Sequence, residues 1–404
     1  MKVLHIITGL GVGGAELQLR SVIQHSRHDS EVVTLYNPGP VADMLREDGV
    51  GVRSLEMASN RQLSALPRLW QLIRQGHYDV VHAHLYRSQI YGRPAARLAG
   101  VPVVVSTEHS IGETHLERRP MTGGVRALYL ATGMFSDMTI AVSGIVRERM
   151  LNWGVPEKKV IDIPNGVDLS RVAFDETARK RIREEFRLGQ DDYVIGVLGR
   201  LDPNKRFELV IEAAAPLLRP GVRLLVVGKG DEQARLAETA ARCGVRDQVV
   251  FTGERHDVAA MLSAMDLFIA SSRQETFGLS VLEALASGAP VLYTTCPALD
   301  GLTVSRASQV PGTVDGIRDG MTAELDAGRR ERKPEPAVEA EYGIKAVTAR
   351  IDDLYERLAA RRHGPASSRS PARARAQDSA SPGLVHTDVA PAVGPAPDLP
   401  GRTQ

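Results

Sequence analysis

Short β-branched apolar runs alternate with amphipathic stretches along most of this chain, and the alternation runs through twice. In the first half the runs fall at residues 3–8, 31–36, 80–84, 102–107, 138–142 and 160–163, with helical patterns such as 15–24 and 87–99 between them. The second half repeats the scheme at 193–198, 222–227, 248–252, 267–270 and 291–294. Strands apolar on both sides and separated by helices make parallel sheets covered on both faces. The expected fold class is therefore α/β, with two Rossmann-like doubly wound domains, and 404 residues suit that number. Turn residues at 164–175 mark the join. The reading places a first domain at 1–170, a second at 171–337 and a closing helix at 338–362. Ile344, Val347, Ile351, Leu354 and Leu358 lie on one side of that helix. Residues 363–404 form a tail of Ala, Pro, Ser and Arg with almost no large apolar side chain, and it is expected to be disordered.

Net charge is +1, close to balance in both halves, which argues against a nucleic-acid partner. Two cysteines, Cys243 and Cys296, exclude a disulfide framework and suit a reducing, cytoplasmic compartment. The opening MKVLHIITGLGVGGAE lacks a small-residue cleavage site and reads as a buried strand. No run of 18 apolar residues predicts a membrane span. Residues 60–76 carry Leu63, Leu66, Trp70 and Ile73 on one side and Arg61, Arg68 and Arg74 elsewhere. That pattern fits a helix lying at the inner membrane face, or more often one packed on a sheet.

Ligands of open parallel sheets bind beyond the carboxyl ends of the strands, so motifs just after strands are the ones to read. Gly9-Leu-Gly11-Val-Gly13-Gly14 matches a dinucleotide turn. An NAD site would also want an acid ending the second strand, where Leu35-Tyr36-Asn37-Pro38 has none. Another phosphate or sugar ligand fits better. Gly199-Arg200-Leu-Asp-Pro-Asn-Lys205 sets a forked guanidinium and an ammonium five residues apart at a strand end, which suits a diphosphate. In Glu275-Thr-Phe277-Gly278-Leu279-Ser-Val-Leu-Glu283 a helix start offers free backbone N–H groups between two carboxylates that can accept sugar hydroxyls. His82 and His84 share one face of a strand. They are expected to contact the acceptor, with satisfied core histidines as the alternative, and no third metal ligand is visible beside them.

GGAE at 13–16, TEH at 107–109, PNGVD at 164–168, GR-x4-K at 199–205 and E-x7-E at 275–283 occur in order. Together they resemble the retaining glycosyltransferases of family 4, with the GT-B fold, over about residues 1–295. The resemblance implies an acceptor-binding first domain and a second domain holding a nucleotide diphosphate sugar, with the last helix returning to the first. Arg200 and Lys205 would hold the donor diphosphate, Glu275 the sugar hydroxyls and Glu283 the ribose. Phe277, Gly278 and Leu279 would offer backbone, and Gly13 and Gly14 would approach from the opposite domain. Arg255 would meet the base through its main chain, and His109 would orient attack on the donor sugar. The expected reaction is transfer with retention to a carbohydrate or lipid-linked acceptor in polysaccharide or glycolipid synthesis. No D-x-D occurs, in keeping with catalysis that requires no metal or other cofactor. The family's glycine pair after residues 291–294 is missing, which departs from its donor loop. The rivals are a sugar-nucleotide epimerase of the same fold, an NAD oxidoreductase and a catalytically silent donor-binding subunit.

Overall fold

Strand β1 (Lys2–Ile7) is apolar on both faces, and the fold uses both. Leu4 and Ile6 join Val33, Val81 and Val104 under Leu69, Ile73 and Tyr91 of the helices Ala65–Gly76 and Tyr86–Leu98. Val3 turns the other way, with Val80, Val103 and Val105, under Val22 and under Ile351, Leu354 and Leu358 of the helix Ile344–His363. Each such aliphatic side chain stabilises the fold by about 1.5–3 kcal/mol on full burial. The computed structural model describes residues 1–58, 62, 64–113, 115–117 and 119–363, and residues 1–362 form one compact unit.

Six further strands complete the first sheet. They are β2 (Asp29–Thr34), β3 (Gly51–Ser54), β4 (Val80–His84), β5 (Val103–Glu108) and, after a small antiparallel ribbon of β6 (His115–Leu116) and β7 (Arg119–Pro120), β8 (Met138–Ala141) and β9 (Val160–Asp162). The order is β3-β2-β1-β4-β5-β8-β9, and every pairing is parallel. The second sheet holds β10 (Tyr193–Leu198), β11 (Val222–Val227), β12 (Val249–Gly253), β13 (Leu267–Ala270), β14 (Val291–Tyr293) and β15 (Ala307–Gln309). Its order is β12-β11-β10-β13-β14-β15, again all parallel. Strand order therefore reverses between β1 and β4 in one sheet and between β10 and β13 in the other, and such switch points are where doubly wound sheets bind ligands.

Two edge strands depart from the sequence expectation. Gly51-Val-Arg-Ser and Ala307-Ser-Gln are short and half exposed, so neither carries an apolar run, and each is strand only because an inner neighbour offers its backbone. The closing helix is also split. Tyr342 O accepts from Val167 N–H and Val167 O from Ile344 N–H, and this bridge interrupts the helical run at Gly343, between Pro336–Tyr342 and Ile344–His363. The two crossings between the sheets thus run side by side. The helix expected at 60–76 spans Ala65–Gly76. Leu66, Trp70 and Ile73 pack onto the first sheet, so these three side chains are taken up internally. Asn60, Arg61 and Leu63 lie outside the described residues, as do residues 364–404 of the tail. Among the described residues no helix is long and apolar enough to cross a membrane.

Candidate active site

At the second switch point, the turn after β10 and the loop after β13 are stitched together by their own polar groups. Asn204 Nδ2 donates to Gln274 O, while Gln274 N–H donates to Asn204 Oδ1 and Arg273 N–H to Asn204 O. Ser271 Oγ donates to Lys205 O. These bonds place Lys205 Nζ 2.7 Å from Glu275 Oε1, although 70 residues separate the two in sequence. Arg200 is exposed on the same turn, and among the described residues its side chain has no hydrogen bond or ion pair. Gly199 and Gly228 hold φ of +148° and +138°, and a Cβ on Gly228 would collide with Gly199 O. Only glycine lets the two turns nest.

The helix Leu279–Ala286 begins at Gly278, whose φ of +103° favours glycine. A side chain there would run into Cys296 Sγ. Phe277 is buried edge-on against Tyr342, with ring centroids 5.5 Å apart, so its ring belongs to the core. Phe277 O accepts from Ala298 N–H. Cys296 and the short helix Pro297–Leu299 therefore seal one side of this turn, in the stretch where the family's glycine pair is missing. Burial and then the nearby Glu275 push the Cys296 thiol up to about 12, so it stays protonated and inert. Glu283 is half buried, and among the described residues its carboxyl has no hydrogen bond or ion pair. Burial alone pushes it up to about 7.

The first domain reaches this constellation from across the cleft. A Cβ on Gly14 would stand 3.8 Å from Leu279 Cδ2, which places the turn at 13–14 opposite the start of the helix Leu279–Ala286. Burial raises the Glu16 carboxyl, opposed by its own backbone N–H and by the charge of Arg200 on the facing domain. Thr276 Oγ1 donates to His109 O at 2.8 Å, and Ser143 Oγ donates to Thr276 O at 2.5 Å. His109 thus stands beside the Glu275 loop. Arg255 lies outside this group. Its guanidinium is clamped by Glu185 and Asp257, which leaves only its main chain for a ligand.

His109 ends a line of imidazoles that sequence reading only half saw. Its Nε2 is 3.4 Å from His84 Nδ1, and His84 Nε2 is 3.1 Å from His5 Nδ1. His5 completes the trio His5, His82 and His84, whose ligand-type nitrogens lie within 4.8 Å of one another. It was missed because only the sheet order puts β1 beside β4. The ring nitrogens of that trio are already engaged. His82 Nδ1 meets the Tyr355 hydroxyl at 2.6 Å and its Nε2 meets Thr107 Oγ1 at 2.7 Å, while His5 Nε2 lies 3.5 Å from Ser30 Oγ. His82 is 1% exposed, which corrects its expected acceptor contact: it is a satisfied core histidine. His84 is 5% exposed and stands against His109. Burial depresses all four rings, His5 to about 3, His109 to about 4, and His82 and His84 well below the usual range with help from their neighbours. They are neutral at physiological pH. Just after His84, Leu85 holds a φ of +73°, a strained value for a bulky residue that turns the chain sharply into the next helix.

Comparison with known proteins places this arrangement. The family "Glycosyltransferase Family 4" matches residues 12–171, and "Glycosyl transferases group 1" matches residues 178–305. A GDP-mannose-dependent alpha-mannosyltransferase of Mycobacterium tuberculosis is 30% identical over 297 residues, 70% of this chain and 75% of that protein. The UDP-Gal:alpha-D-GlcNAc-diphosphoundecaprenol alpha-1,3-galactosyltransferase of Escherichia coli is 28% identical over 296 residues, 70% of this chain and 76% of its own length. Among solved structures, Anabaena HepE in complex with UDP and glucose superposes with a TM-score of 0.78 at 21% identity, covering 88% of this chain and all of that one. Sucrose-phosphate synthase of Thermosynechococcus elongatus gives 0.73 at 19% identity over 89% of this chain and the whole of its own. Both sheets, the cleft between their switch points and the matches to each half agree: the chain belongs to the group 1 glycosyltransferases of family 4, GT-B enzymes that take a sugar from a nucleotide-sugar donor.

Proposed function

We propose that this glycosyltransferase transfers a hexose with retention of configuration, without a required metal, from a nucleoside diphosphate sugar to a carbohydrate or lipid-linked acceptor hydroxyl. The observation that carries the reading is the Lys205–Glu275 pair at 2.7 Å at the second switch point, on the same turn as Arg200, whose side chain has no partner among the described residues. When the anomeric C–O bond breaks, negative charge grows on the departing diphosphate. Lys205, held by Glu275, is a fixed cation at that place and the exposed Arg200 adds a second, mobile one; preorganised charge is the largest usual contribution to such a barrier. They do there what a divalent ion does in metal-dependent transferases. Glu275 holds the ammonium through Oε1 and keeps Oε2 for a donor-sugar hydroxyl. Glu283, without a partner among the described residues, would accept the ribose hydroxyls, and neutral His109 would hydrogen-bond the donor sugar. In this reading the acceptor oxygen attacks on the face the nucleotide leaves, and its proton passes to the departing phosphate oxygen.

The relatives' donors, UDP-galactose and GDP-mannose, leave the base open. A thermal-shift panel of UDP, GDP, dTDP, ADP and NAD, each with magnesium and with chelator, tests donor and metal together. A nucleoside diphosphate at about 100 times its Kd adds about 2.7 kcal/mol, a shift of a few degrees. One of them should shift the melting temperature equally in magnesium and chelator. A shift that vanishes with chelator overturns the metal-free reading. With the donor known, Lys205→Ala and Glu275→Ala should each lower kcat by about 100-fold or more, and anomeric proton NMR of the product should show retention. Full turnover in either variant contradicts the assignment, and absence of turnover in the wild type with every donor–acceptor pair points to a silent donor-binding subunit.

A further inference from the structure

The first sheet has a switch point of its own, between β1 and β4, and its rim carries polar groups that donor chemistry does not use. Arg87 follows β4 and opens the helix Tyr86–Leu98. It is 7% exposed, with its guanidinium 4.6 Å over the Tyr36 ring. Among the described residues nothing accepts a hydrogen bond from it, and its Nε is sealed from solvent without a partner. The other deeply buried arginines differ. Arg93 donates to Ser106 Oγ, and Arg183 donates to Ala264, Gly189 and Asp192 carbonyls and to Asp266. Glu117 is within electrostatic reach of Arg87, but its carboxyl is engaged by Tyr86 N–H. Burial and then Glu108 push Glu117 up to about 8, so it is largely neutral at physiological pH.

Two neighbouring positions share the deficit. Thr8, just past β1, and Ser110, just past β5, each bury a hydroxyl with no partner among the described residues. Strands β1, β4 and β5 are adjacent, so these three polar groups, without partners among the described residues, stand at consecutive strand ends on one rim. Tyr36 is tied to the same rim through its N–H bond to Thr8 O. Buried donors are ordinarily paired, and a buried cation without an acceptor is costly to a fold unless a ligand supplies one.

We propose that this rim is an acceptor subsite in which Arg87, laid flat on Tyr36, binds a phosphate-type oxyanion carried by the acceptor, with Thr8 and Ser110 as neutral donors. The proposal rests on the transferase reading, since it takes the first rim as the acceptor's place. A tetrahedral oxyanion suits donors arriving from three strand ends, and a guanidinium fork matches two of its oxygens.

The test uses the full chain saturated with the nucleoside diphosphate that stabilises it, so that the donor diphosphate site is filled. Calorimetry then follows inorganic pyrophosphate binding to the wild type, Arg87→Gln and Arg87→Lys. Arg87→Gln should lose at least tenfold in pyrophosphate affinity, Arg87→Lys should retain part of it, and nucleotide affinity and circular dichroism should match the wild type in both. Equal pyrophosphate binding in Arg87→Gln, or none in the nucleotide-saturated wild type, overturns the proposal. A chain that binds no nucleotide at all fails the transferase reading instead, which is a separate observable. Glucose 1-phosphate and vesicles of 30 mol% phosphatidic acid distinguish the source of the phosphate. Arg87-dependent vesicle sedimentation assigns a lipid headgroup, and Arg87-dependent binding of glucose 1-phosphate alone assigns a soluble acceptor.

Discussion

Single residues at the cleft are tuned by what surrounds them, and Glu283 shows it most directly. Its carboxyl, ordinarily near 4.5, is pushed to about 7 by burial. The folded chain therefore holds a proton there that the unfolded chain releases between those values, and stability falls as pH rises through that window. Glu283→Gln should gain about 2–3 kcal/mol over the wild type at pH 8 and nothing at pH 4.5, while losing affinity for the nucleoside diphosphate if the carboxyl holds ribose. Urea midpoints at the two pH values check the first point and calorimetry the second. The meeting of Lys205 with Glu275 was legible because Arg200, Lys205, Glu275 and Glu283 each follow a strand at a recognisable spacing. His5 was not. Nothing in its own neighbourhood marks it, and it becomes a partner of His84 only through the pairing of β1 with β4.

Elements meet through turns with little tolerance, so loop chemistry here is also packing chemistry. Gly278→Ala would force a Cβ into Cys296 Sγ at a φ of +103°. The cost should be about 1–3 kcal/mol of stability, with weaker nucleotide binding because the start of the helix Leu279–Ala286 must shift. Differential scanning calorimetry together with donor titration checks both, and a variant with unchanged melting and binding would show that the turn can relax. The inner strands were readable because burial on two faces leaves a continuous apolar run. The edge strands β3 and β15 were not, since an edge is held by backbone pairing to one neighbour and asks little of its side chains. The same limit hid the sealing role of Cys296, whose contact with Gly278 depends on how β14 lies beside β13.

For the whole molecule, two buried sets of titrating groups pull stability in opposite senses. The four neutral imidazoles of His5, His82, His84 and His109 take protons in the unfolded chain below about pH 6.5, so they favour unfolding as pH falls. Glu108, Glu117 and Glu283 hold protons in the folded chain that the unfolded chain has lost, so they favour folding over the same descent, until the unfolded carboxylates protonate near pH 4.5. Stability should change little from pH 6.5 to 4.5, then fall steeply by about 1.4 kcal/mol per pH unit for each imidazole still neutral. Urea midpoints from pH 8.5 to 4 trace this curve, and a steady decline starting at pH 6.5 would mean the imidazoles outweigh the carboxyls. One arrangement also sets the order in which the chain can assemble. Tyr355 closes over His82, and Ser26 and the Arg27 backbone are bonded to Asp352, so the first sheet is finished by residues that follow the whole second sheet in sequence. A chain emerging from the ribosome can pack its later domain from contiguous residues. Its earlier domain must wait, with one sheet face only partly covered, until the last helix arrives.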